Sequence, residues 1–132
     1  MTGRGMLPSR GPIQKVLSRL FGGASSTSGG APGVVDVREA ARLQAAGALL
    51  IDVRQPEEWR QGHAPNAVLI PLGSVSTRLP EIPKGRDVLL ICRSGNRSSA
   101  AQRQLLGLGY RRVFNVTGGM HAWASAGLPV VH

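Results

Sequence analysis

The run Val88-Leu89-Leu90-Ile91-Cys92-Arg93-Ser94-Gly95-Asn96-Arg97-Ser98-Ser99 holds the residues of this chain best suited to chemistry. Four apolar residues in a row predict a strand covered on both faces. Gly95 and Asn96 tolerate the left-handed backbone angles of a sharp turn. From Arg97 the spacing turns helical, with Ala101, Leu105 and Leu108 on one face and Arg103 off it. A cysteine between a parallel strand and a helix N-terminus meets unpaired backbone N–H groups and the positive end of a helix dipole. Both favour the thiolate, as do the guanidinium groups of Arg93 and Arg97, so Cys92 is the candidate nucleophile. A free cysteine without context is more often an inert, buried small hydrophobe. Its neighbours here are arginine, serine, glycine, asparagine and arginine, which do not describe a core. They predict a thiol at a polar, anion-attracting mouth.

The elements that must hold this loop can be read on either side of it. Val34–Val35 is a weak strand candidate, and Asp36 caps a helix that runs through Gln44, with Gly47 as its stop. Residues 48–53 form an apolar strand ending in Asp52-Val53-Arg54. Pro56 opens a short helix through about Gln61, with Glu57 and Glu58 at its positive end. A short strand over 68–70, a helical turn over 71–79, the strand Val88–Ile91 and a helix over 97–108 follow. Val113–Val116 and a closing helix over 119–124 complete the pattern. Strands alternating with helices predict an α/β domain with a mostly parallel sheet. Ligands of such sheets bind beyond the carboxyl ends of the strands, where Cys92 falls.

The totals narrow the chemistry. At 132 residues the chain has room for one domain with a modest core. A single cysteine excludes an internal disulfide framework, a cysteine-rich metal site and a resolving thiol in the same chain. A sulfur species formed on Cys92 must be discharged to another molecule. The net charge of +9 divides into +4 over residues 1–35, which hold no acid, and +5 over the rest. Apart from Arg93/Arg97 and Arg111/Arg112 the arginines are scattered. Aromatic residues are few, and no zinc-finger or RNP-type pattern is present, so nucleic acid is not the expected partner. A positive field that draws in small anions fits better.

Residues 1–33 read as a basic tail rich in glycine, serine and proline, and residues 22–30 resemble a flexible linker. Within it Ile13, Val16, Leu17 and Leu20 recur at helical spacing, with Lys15 and Arg19 off the stripe. That pattern suits a short amphipathic helix on a membrane surface or a partner, or a targeting presequence. A disordered extension is the favoured expectation. No apolar stretch is long enough to span a bilayer, and the tail lacks a secretory h-region.

Three motifs in order resemble a known family. The first is Leu50-Ile51-Asp52-Val53-Arg54, with Glu58-Trp59 and Gly62-His63-Ala64-Pro65-Asn66-Ala67 after it. The second is the loop from Cys92 to Arg97. The third is Gly109-Tyr110 with Val113, then Gly118-Gly119 and Trp123. Over about residues 34–130 the chain resembles a single-domain rhodanese, a sulfurtransferase. Ala64 and Asn66 depart from the family's Gly-His-Ile-Pro-Gly-Ala-like turn, which alters packing and turn detail. The resemblance implies a rhodanese-like α/β domain over 34–132, with about five mostly parallel strands flanked by helices on both faces. It also implies a ping-pong reaction through a persulfide on Cys92, from a small anionic donor such as thiosulfate to a thiol or cyanide-like acceptor, or to a protein acceptor. Backbone N–H groups of Arg93, Ser94, Gly95, Asn96 and Arg97 are expected to stabilise the persulfide, and the Arg93 and Arg97 side chains to bind donor oxygens.

The interval from Cys92 to Arg97 is one residue shorter than the Cys-x5-Arg loop of cysteine phosphatases, so sulfur is favoured over phosphate. Arg54 is a candidate substrate contact, but an Asp52–Arg54 pair holding loops together is favoured. Ser98 is expected to support the site. His63 is expected in a structural turn rather than as a base, and Trp59 and Trp123 in packing. His121 and His132 have no ligand spacing, so neither metal nor other cofactor is expected. A regulatory binding module, or a persulfide carrier for one partner, is the competing class. A reactive, unpaired thiol suits a reducing compartment, and cytoplasm is the expected location.

Overall fold

The structure, a computed structural model, describes residues 33–132. The amphipathic stretch and the glycine–serine linker expected in the tail lie outside the described residues.

Five strands and four helices follow in order: β1 (Val34–Val35), α1 (Val37–Ala45), β2 (Leu49–Asp52), α2 (Pro56–Arg60), β3 (Val68–Leu69), β4 (Val88–Ile91), α3 (Asn96–Gly107), β5 (Val113–Val116) and α4 (Gly119–Ser125). Asp36 caps α1 as expected, its carboxylate accepting from Glu39 N–H at 2.8 Å. The helical turn expected over 71–79 is two 3-10 segments, Leu72–Thr77 and Leu79–Glu81. Pro80 has no N–H to continue the first ladder into the second. Leu108 was expected on the buried stripe with Ala101 and Leu105, and it is not there. α3 stops at Gly107, Leu108 follows at φ −99° and is 46% exposed, while Ala101 and Leu105 are fully buried.

The sheet runs β1-β5-β4-β2-β3 and all four pairings are parallel. β4 is its central strand, and all four of its residues are inaccessible to solvent. Side chains alternate across the pleat. Val88, Leu90 and Cys92 join Ala101 and Leu105 of α3 and Val75 of the first 3-10 segment on one face. Leu89 and Ile91 join Ala40 of α1 and Met120 and Trp123 of α4 on the other. A strand covered on both faces has no polar side to show, which is why 88–91 reads as an unbroken apolar run. Each such side chain contributes roughly 1.5–3 kcal/mol of burial.

This packing delivers two helix N-termini to the end of β4. α3 begins four residues after Cys92, and α4 approaches from the opposite face. Met120 N–H donates to Cys92 O at 2.7 Å, and His121 N–H to Arg93 O at 3.0 Å. Gly118 and Gly119 allow the approach, with φ of 77° and 56°. A Cβ on Gly119 would overlap the carbonyl groups of Cys92 and Arg93. In the other turn of interest Asn66 holds φ 63°, a left-handed angle that asparagine tolerates.

Gly119→Ala should lose more than about 2 kcal/mol of stability, since it combines left-handed strain with a backbone collision. Gly73→Ala, with no atom within 4 Å of the added methyl, should change it by less than about 0.5 kcal/mol. Urea unfolding of the two variants measures the contrast, and equal midpoints would mean that the close approach is not structural.

Candidate active site

Cys92 follows the last residue of β4 and opens a six-residue loop that ends at Arg97. Gly95, at φ 113°, takes the N-cap position of α3. That angle turns its N–H inward, 3.0 Å from Cys92 Sγ. Ser98, buried in the first turn of α3, places its hydroxyl oxygen 3.3 Å from the sulfur. Burial pushes the Cys92 thiol up, but the Ser98 hydroxyl and the backbone N–H groups of Ser98, Gly95 and Ser94 outweigh it. The thiol pKa lies below its ordinary value. This geometry suits a sulfur nucleophile that carries negative charge.

The thiol is more enclosed than a polar, anion-attracting mouth implies. Arg93, Ser94 and Asn96 are exposed, but Cys92 is 1% exposed and packs with Leu90 and Ala101. The pleat explains the difference: residue 92 falls on the face that α3 covers. The sulfur forms the floor of the loop and the polar residues its rim.

The arginines divide into engaged and exposed. Arg97 makes a two-pronged pair with Glu58 of α2, Nη1 to Oε1 at 2.7 Å and Nη2 to Oε2 at 2.8 Å. Both terminal nitrogens expected to bind donor oxygens are thus held by a carboxylate. The Arg97 bond lowers the Glu58 pKa to about 2, against a smaller upward push from burial and with help from Gln55 N–H and the charges of Arg97 and Arg54. Of the two roles expected for Arg54, the structure carries the pairing. Its Nε lies 3.0 Å from both Asp52 oxygens and its Nη2 donates to Asp52 Oδ2 and Gly62 O, each at 2.8 Å. At 7% exposure that guanidinium ties β2 to the 62–66 turn. Arg93 is exposed and makes no ion pair among the described residues.

His63 sits in the turn, its Nδ1 donating to Trp59 O at 2.9 Å. Its ring stacks on Trp59 at 3.5 Å between centroids, so Trp59 is a half-buried stacking partner and not a core residue. Trp123 is in the core, with its indole N–H on Pro129 O at 2.8 Å.

One member of the site escaped sequence reasoning. Asn115 of β5 lies 2.6 Å through Oδ1 from Ser98 Oγ and 3.3 Å through Nδ2 from Gly95 O. Its signal was an amide between apolar residues, Phe114 and Val116, in a strand buried on both faces. A polar group in that position needs partners, and here they are parts of the cysteine loop.

Known proteins share the sequence and fold of much of the chain. The sequence model of the Rhodanese-like domain matches residues 36–126. A protein of Allochromatium vinosum named Sulfurtransferase is 49% identical over 83 residues, 63% of this chain and 78% of that one. A Bacillus subtilis protein named Putative sulfur carrier protein YrkF is 40% identical over 74 residues, 56% of this chain and 40% of its own length. The crystal structure of a rhodanese-related protein from Thermoplasma volcanium matches with a TM-score of 0.69 at 28% identity, over 74% of this chain and 96% of that one.

The Arg97–Glu58 pair carries a pH signature. A carboxyl lowered from 4.5 to about 2 contributes stability that is present above pH 4.5 and lost as the pH falls towards 2. Because the pair is partly exposed, its worth is about 1 kcal/mol. Glu58→Gln should flatten this part of the acid limb, as read from urea midpoints across the window. Parallel curves for the two proteins would show that the pair does not stabilise the fold.

Proposed function

Because the chain belongs to the rhodanese-like domain family, we propose that it moves a sulfane sulfur from a small anionic donor such as thiosulfate to a thiophilic acceptor, carried as a persulfide on Cys92. The observation that carries this reading is Sγ at the floor of a six-residue loop, 3.0 Å from an inward N–H and with its thiol pKa lowered. The thiolate attacks the outer sulfur of the donor. A bond forms from Sγ to that sulfur, the donor S–S bond breaks, and sulfite leaves with the electron pair. A thiol or cyanide-like acceptor then attacks the terminal sulfur, and Cys92 leaves as the thiolate.

Burial of Sγ is compatible with this cycle. A persulfide bond of about 2 Å carries the transferable sulfur outward while the inner sulfur stays on the floor. Exposed Arg93 offers its charge to the anionic donor and leaving group, and loop N–H groups face the charge that develops. The loop is one residue shorter than a phosphatase loop, which favours sulfur over phosphate. A second reading, a persulfide carrier that serves one protein partner, is favoured by the likeness to the putative sulfur carrier. The two share the loaded cysteine and differ in the acceptor. The reactive thiol suits the cytoplasm, and no helix among the described residues is long and apolar enough to cross a membrane.

Incubation with thiosulfate, removal of the excess and intact-mass measurement test the proposal. One added sulfur atom on Cys92, discharged by cyanide and missing from Cys92→Ala, is expected. Sulfur transfer retained by folded Cys92→Ala would refute it, and a folded wild type that takes up no sulfur would move the reading to a carrier with a dedicated donor. Arg93→Ala should raise the KM for thiosulfate by roughly 3- to 10-fold at low salt, and less as salt screens the charge. A KM that does not move would remove Arg93 from donor binding.

A further inference from the structure

The carboxamide of Asn115 can face its neighbours in only one way. Gly95 O, 3.3 Å away, is a carbonyl that can only accept, so the amide NH2 must point to it. Oδ1 then faces Ser98 Oγ at 2.6 Å, and there the hydroxyl must donate. A serine hydroxyl carries one proton. Cys92 Sγ lies 3.3 Å from the same oxygen, so it meets lone pairs for as long as Asn115 holds that proton. Ser98 is fully buried and Asn115 is 8% exposed, so a substitute partner from solvent is hard to supply.

We propose that Asn115 is a positioning residue that acts on Cys92 through Ser98, competing with the sulfur for one hydroxyl proton. With Cys92 neutral, its S–H donates to Ser98 Oγ and the Ser98 O–H donates to Asn115 Oδ1. When the S–H proton leaves for solvent, the hydroxyl rotates about its Cβ–Oγ bond and turns its own proton to the thiolate. No bond to Oγ breaks, and Asn115 Oδ1 loses its donor. The thiolate therefore gains this hydrogen bond only by stripping a second buried acceptor. The Ser98 share of the pull on the thiol is reduced by that competition, and the thiolate is kept more basic and more nucleophilic than the loop and a free hydroxyl would leave it. When the sulfur is neutral and covalently loaded, the proton returns to Asn115. This role does not depend on which donor loads the cysteine.

The charged and titratable groups around Cys92 are few. Arg97 of α3 is near enough to feel the charge of Cys92 and is held by Glu58 of α2. The Asp52–Arg54 pair lies at the end of β2, Arg93 is in the loop itself, and His121 of α4 touches the loop through its backbone N–H. None of them contacts Ser98 Oγ or the Asn115 amide by a hydrogen bond, so the effect of the pair can be separated from theirs by a double-mutant cycle.

One cysteine makes the thiol signals unambiguous. The pH dependence of iodoacetamide alkylation gives the thiol pKa of wild type, Asn115→Leu, Ser98→Ala and the double variant. Losing the amide also releases Gly95 O, but that effect is the same with or without Ser98 and cancels in the cycle. The thiol pKa change caused by Asn115→Leu should be lower by roughly 0.5–1 unit when Ser98 is present than when it is alanine. Equal changes in the two backgrounds would overturn the proposal. If the leucine does not pack, Asn115→Ala carries the same expectation. The infrared S–H stretch at a pH below the thiol pKa is an independent reading. It should lie below that of a free thiol and rise in Ser98→Ala; a stretch indifferent to Ser98 would also overturn the proposal.

Discussion

A backbone that turns its N–H groups toward one sulfur must turn carbonyls away from it, and those carbonyls need donors of their own. The site depends on this constraint. Cys92 O and Arg93 O find their donors in Met120 and His121, N–H groups of the first turn of α4, and Gly95 O takes Ser99 N–H and the Asn115 amide. The start of a helix is short of acceptors just where the loop is short of donors, and the two deficits cancel. Only glycine at 119 lets the two backbones meet, and Gly118 before it holds a left-handed φ of 77°. α4 in turn is held by Met120 and Trp123 against Leu89 and Ile91. The chain of cause runs from the apolar face of β4 through α4 to the shape of the loop.

The other face of β4 supplies the sulfur's side-chain environment. Ala101 and Leu105 seat α3 on Leu90, which brings Ser98 over Cys92 and sets Asn115 of the neighbouring strand beside it. The thiol is thereby buried and hydrogen-bonded at once. Burial alone would keep it protonated and inert; the Ser98 hydroxyl and the N–H groups aimed at it reverse that balance.

Charge is distributed with similar economy. Arg54 and Arg97, both near the loop, are committed to Asp52 and Glu58, and they tie β2, α2 and the turn at 62–66 to the base of α3. Their carboxylate partners offset most of their field outside. Arg93, at the rim, is the loop cation left for solvent and ligands among the described residues. The scaffold and the rim use the same residue type for different ends, and only the partners distinguish them.

By itself the sequence determined the strand order along the chain, the cysteine between strand and helix, and the glycines at the turns, because each follows from local periodicity, turn chemistry or a motif of neighbours. Asp36 at a helix cap and left-handed Gly95 are of the same kind, whereas Asn96, expected to share that turn, is the first residue of α3 and has no positive φ. It did not determine which arginine is engaged, how deeply Cys92 is set, or that Asn115 completes the site. Arg97 meets Glu58 across 39 residues and Ser98 meets Asn115 across 17. Contacts of that span depend on the parallel order β5-β4-β2, which brings separate strand ends side by side. Only the tertiary structure could decide them, since a guanidinium or an amide has the same local pattern whether its partner is a carboxylate, a hydroxyl or water.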